Sequence, residues 1–158
     1  MNYLETVQEQ RTGLNVRTIL VAVDLSPHSE RTVAYAVSIA RQFGASLKVI
    51  HVYAPPTSAE FGAQEMYRLL EKDRDDTERR LASLVDRVRA SYPNCHSFLR
   101  TGDPAEQVAR IASLVRADLI VVGRHHQTFL GRFFKLDQAP KIVHRVACPV
   151  LVWEDDEN

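Results

Sequence analysis

The chain has 158 residues, with 20 Lys plus Arg against 20 Asp plus Glu, so its formal net charge is zero. Hydrophobic residues make up 45% and charged residues 25%, an ordinary composition for one domain large enough to bury a core. That balance argues against a nucleic-acid binder, which needs a basic excess to neutralise phosphates, and no apolar run is long enough to make a membrane partner.

Residues 1–15 read as an N-terminal arm, polar and without the apolar centre of a signal peptide. Residues 18–24 form a nearly continuous apolar run, the pattern of a strand covered on both faces. Ser26 before Pro27 predicts a helix start, with Ser26 as the cap. Val33, Ala36, Val37 and Ala40 follow at helical spacing and Gly44 marks the stop. The next strand spans 46–52 and closes at Pro55-Pro56. A long helix is predicted over 59–90, with Met66, Leu69, Leu70, Leu81, Leu84, Val85 and Val88 as its apolar stripe.

Tyr92-Pro93-Asn94 ends that helix, and a short strand over 96–100 follows. Asp103 and Glu106 stand at capping-box spacing around Pro104, and Val108, Ile111, Ala112 and Val115 form the buried face of the helix they start. Residues 119–122 make a fourth strand, and a long loop from Gly123 leads to a short helix near Pro140. Ile142, Val143 and Val146 should face inward there. The last strand covers 149–153, and 154–158 form an acidic tail. Strand and helix alternate throughout. The predicted class is therefore α/β: an open, doubly wound, five-stranded parallel sheet with helices on both faces, Rossmann-like, over residues 16–153.

In such sheets ligands bind beyond the carboxyl ends of the strands, where strand order reverses. Asp24, Ser26, His51, Val52, Gly102, Asp103 and Gly123 stand at those ends. The run Asp24-Leu25-Ser26-Pro27-His28 has no glycine, unlike the first turn of a dinucleotide-binding domain, so NAD or FAD is not expected. Cys95 and Cys148 lack zinc-site spacing and read as reduced, buried thiols.

Several segments together resemble the universal stress proteins: 19–26, His51-Val52, Gly102-Asp103-Pro104, 119–123 and 148–152. The resemblance implies a five-stranded α/β domain, a cytoplasmic homodimer and a role in surviving stress. One branch of that family binds ATP through G-x2-G-x9-G-[S/T] after the fourth strand. Counted from Gly123, the later positions are His126, Leu136 and Asp137, so one of the four motif residues is kept. A ring at 126 obstructs the approach of backbone N–H groups to phosphate, and Asp137 places negative charge beside anionic oxygens. Gly123-Arg124-His125-His126-Gln127 is similar instead to the A-type branch, which does not bind nucleotide.

The expected function is thus a non-catalytic homodimer with a degenerate nucleotide motif and no cofactor, acting through protein contacts. The alternative is a switch or slow ATPase that binds ATP or AMP through Asp24, Ser26, Val52, Gly102 and Gly123. Asp24 has a structural reading as well, holding the backbone of neighbouring loops, and Ser26 reads as a cap before a nucleophile because no histidine is spaced to activate it. His125-His126 invites a metal, but no carboxylate or thiol stands at ligand spacing, so they read as polar loop filling the cleft. Loop 124–135 carries Phe129, Leu130, Phe133 and Phe134 among Arg132 and Lys135, a candidate surface for a protein partner or a cover for the cleft. Val150, Leu151, Val152 and Trp153 are the candidate dimer interface, if their strand lies at the sheet's edge.

Overall fold

A computed structural model describes residues 14–55, 62–124 and 138–154. Its strands are β1 (Thr18–Val23), β2 (Ser46–Tyr53), β3 (Cys95–Thr101), β4 (Leu119–Arg124) and β5 (Val150–Glu154). Its helices are α1 (Ser29–Phe43), α2 (Ala63–Ser91), α3 (Pro104–Leu114) and α4 (Gln138–Val143). The five strands form one parallel sheet in the order β3-β2-β1-β4-β5. This is the expected α/β class, and the order reverses between β1 and β4.

The two-residue alternation of β1 separates two cores. Ile19, Val21 and Val23 point to one side, where Val33, Ala36, Val37 and Ala40 of α1 meet Leu81, Leu84 and Val85 of α2. Leu20 and Ala22 point to the other, against Val108, Ile111 and Ala112 of α3 and Ile142 of α4. Each fully buried Val, Leu or Ile contributes about 1.5–3 kcal/mol relative to exposure, so the continuously buried run from Ile19 to Val23 stabilises the central strand heavily. Its start is fixed separately: Asp118 Oδ2 accepts from the backbone N–H of Arg17 at 2.8 Å and of Thr18 at 2.9 Å.

Most element ends fall within a few residues of expectation, but two expectations need correction and one apolar stripe is only partly buried. The cap of α1 is His28, not Ser26, because residues 27 and 28 form a further turn before the helix opens. The stripe of α2 is buried only at Thr77, Leu81, Leu84 and Val85, while Leu69 is 42% exposed and Met66 and Leu70 are half-buried. A 29-residue helix runs about 43 Å, whereas a strand of six to eight residues spans about 20–27 Å, so the first half of α2 outruns the sheet. Val143 is 50% exposed, since in so short a helix Ile142 alone takes the inward position.

The acidic residues 155–158, the arm residues 1–13 and loop positions 125–135 lie outside the described residues. So do His125, His126, Leu136 and Asp137 of the motif count. No helix among the described residues is long and apolar enough to cross a membrane.

Candidate functional site

The point where strand order reverses lies between the carboxyl ends of β1 and β4. Val23 pairs in register with His51, and Ala22 with Val122. Asp24 thus leaves β1 beside Val52 on one side and the Gly123-Arg124 end of β4 on the other. Gly102 follows β3, whose Thr101 pairs with Tyr53. The fold therefore brings the expected positions Asp24, Val52, Gly102 and Gly123 to one end of the sheet.

Their side chains are largely committed to the protein itself. Asp24 Oδ1 accepts hydrogen bonds from the Ser26 N–H and from Ser29 Oγ, both at 2.9 Å. These bonds hold a turn in which Leu25 takes a φ of 60°, a left-handed conformation costly for a side chain branched at Cγ. Arg80, reaching across from α2, donates from Nη2 to the Leu25 carbonyl at 2.7 Å. The Ser26 hydroxyl oxygen is shielded from solvent and has no hydrogen-bond partner among the described residues.

Gly123 owes its identity to packing. A Cβ built on it would lie 2.4 Å from Thr32 Oγ1 and 3.2 Å from Thr32 Cγ2. Only a missing side chain lets α1 approach β4 this closely. Gly102 differs: its φ is 132°, a region that L-residues seldom adopt, and its N–H donates to the Tyr53 carbonyl at 3.2 Å. Asp103 then caps α3 as expected, accepting from the Glu106 N–H at 2.9 Å.

His51 is buried, and its Nδ1 lies 2.8 Å from the Val23 carbonyl oxygen, a distance at which a protonated Nδ1 donates. Burial pushes its pKa below the ordinary 6.5; the Val23 hydrogen bond and the Asp24 charge oppose this, and Arg80 adds to it. Tyr53 donates to Asp73 Oδ2 at 2.8 Å, joining β2 to the outrunning half of α2. Desolvation and then this bond raise the phenol to about 12. Burial likewise raises the thiol of Cys95, which is buried as expected, and of Cys148, which is only half-buried, so it favours the protonated form of each. Among the described residues, no group of three or more His, Cys, Asp or Glu could hold a metal ion.

Ser29, Thr32 and Arg80 shape this end of the sheet, and the sequence reading overlooked them. Ser29 and Thr32 extend the 33, 36, 37, 40 stripe backwards at the same helical spacing, so periodicity would have placed them on the buried face. Arg80 had no such signal, because its contact crosses 55 positions of sequence.

The expected dimer strand β5 is at one edge of the sheet. Leu151 packs with the α1–α2 core and Val150 with the α3–α4 core. Trp153 stacks on Tyr35 of α1, with ring centroids 5.5 Å apart and planes at 23°. Val152 is 44% exposed.

Comparison with known proteins agrees with this architecture. The model of the universal stress protein family matches residues 15–153. A universal stress protein of Thermus aquaticus is 34% identical over 145 residues, covering 86% of this chain and 97% of its own. The structure of universal stress protein UspA from Lactobacillus plantarum superposes with a TM-score of 0.71 at 23% identity, covering 89% of this chain and 99% of that one. A universal stress protein in complex with cAMP superposes with a TM-score of 0.65, also at 23% identity, covering 89% and 98%. With the family model matched across nearly all of the chain, on a parallel sheet ordered 3-2-1-4-5, this chain belongs to the universal stress protein family.

Proposed function

We propose that the protein is a cytoplasmic, non-catalytic homodimer that serves the stress response through protein contacts, its nucleotide motif having decayed as in the A-type branch it resembles. The arm, domain and tail keep the boundaries 1–15, 16–153 and 154–158 in this reading. The observation that supports it is that Asp24 and Gly123, two positions of the cleft, are already engaged by the protein's own groups. Thr32 fills the space at Gly123, and Asp24 braces its own turn through Ser26 and Ser29. His126, Leu136 and Asp137 in the motif positions add steric and electrostatic opposition to a triphosphate. The open edge of β5, with Val152 exposed, is suited to pairing with its copy about a two-fold axis, and loop 124–135 is the proposed face for another partner.

A second reading, a switch or slow ATPase binding ATP or AMP at Asp24, Ser26, the Val52 backbone, Gly102 and Gly123, is favoured by the solved relative that holds cAMP. Isothermal titration of nucleotide-free protein with ATP and Mg²⁺ separates the two. The first reading expects no saturable heat at micromolar protein, and tight binding would sink it. Combining His126→Gly, Leu136→Gly and Asp137→Ser should raise ATP affinity about tenfold or more, the worth of one charge-assisted hydrogen bond. No gain would count against the steric argument.

A further inference from the structure

A cavity of about 490 Å³ opens where the N-terminus of α1 meets the middle of α2, on the α1–α2 side of the sheet. Arg79, Arg80 and Arg87 line it together with Ser26, and among the described residues the only carboxylate lining it is that of Glu30. Leu25, Pro27 and Leu84 supply apolar wall. We propose that this cavity binds a small organic phosphate, with the arginines on the phosphate and the apolar wall against the organic portion. The site shares Ser26 with the nucleotide reading, but its three arginines lie outside the residues of that cleft.

The arginines are held in place without being used up. Arg80 is anchored by its bond to the Leu25 carbonyl, and Arg87 donates to Ser83 Oγ at 2.7 Å and to Glu30 at 2.5 Å. Arg79 bonds the Asp75 carbonyl at 3.3 Å and the Asp76 carboxylate at 2.9 Å. These bonds engage at most two of the five N–H donors on each guanidinium. Planar forks of this kind match the paired oxygens of a phosphate bidentately, which a spherical chloride cannot exploit.

Two further features point the same way. Ser26 lies on the cavity lining, and its hydroxyl, shielded and without a partner among the described residues, could turn by a side-chain rotation to donate to a phosphate oxygen. The 15-residue helix α1 begins at this cavity and adds the positive end of its dipole. Glu30 on Arg87 and Asp76 on Arg79 are the opposing charges, but both pairs are solvent-exposed and so weak enough to exchange for a phosphate.

Titration calorimetry of the full chain with phenyl phosphate, at fixed ionic strength, tests the assignment. Wild type should bind it saturably and more tightly than inorganic phosphate. Replacing Arg79→Gln together with Arg80→Gln should weaken binding about tenfold or more. Ser26→Ala, which leaves every arginine contact intact, should weaken it severalfold and keeps the test open if the arginine variant melts early. Arg110→Gln removes one cation from α3, outside the cavity lining, and should change nothing. The proposal is overturned by the absence of saturable binding, by binding indifferent to the arginine and serine changes, or by an equal loss in the Arg110 variant.

Discussion

Gly123 shows how one residue can invite two explanations. At the end of an apolar strand it suggests a phosphate cradle, yet its backbone lies against Thr32. Gly123→Ala should therefore destabilise the fold by about 1–3 kcal/mol, the usual cost of overpacking. Adding Thr32→Ala should recover part of that loss, and urea unfolding of the two single variants and the double variant would reveal the non-additivity. His51 makes a separate prediction. Its folded-state pKa lies below 6.5, so the unfolded chain binds more protons once the pH falls to that range. The stabilisation it provides is complete above about pH 6.5 and is lost as pH falls through 6.5 toward the folded value. Denaturation midpoints measured from pH 5 to 8 should rise with pH, and His51→Asn should flatten that rise. An unchanged slope in the variant would mean that other groups set it.

At the level of elements, local chemistry was the most legible. Asp103, Pro104 and Glu106 state the start of α3 outright, and the cap bond forms as their spacing requires. Asp103→Ala should cost about 0.5–2 kcal/mol, read as a lower thermal midpoint. Ser26-Pro27 carries a similar local signal, but Asp24 captures the Ser26 N–H and the helix opens two residues later, behind His28. The capping rule lost there to a side chain just upstream. The apolar stripe of α2 was read correctly as a helix, and the structure buries it fully only at Leu81, Leu84 and Val85. Periodicity reports which face is apolar, while the length of the sheet beneath decides how much of that face finds a partner.

On the scale of the whole molecule, the sheet leaves β5 at an edge with Val152 exposed, and the proposed dimer uses that edge. Val152→Lys should shift the protein from dimer toward monomer in sedimentation at micromolar concentration while leaving the thermal midpoint nearly unchanged, because the side chain is already solvated. A wild type that sediments only as monomer would remove the dimer itself. The α/β class and the order of elements were determined by the sequence alone, because periodicity and caps are local properties of the chain. Tertiary structure alone decided that Thr32 occupies the space at Gly123, that Arg80 braces Leu25, and that three arginines share a cavity with Ser26. Those contacts join residues tens of positions apart, and their partners are chosen by strand order and helix approach, which no local pattern encodes.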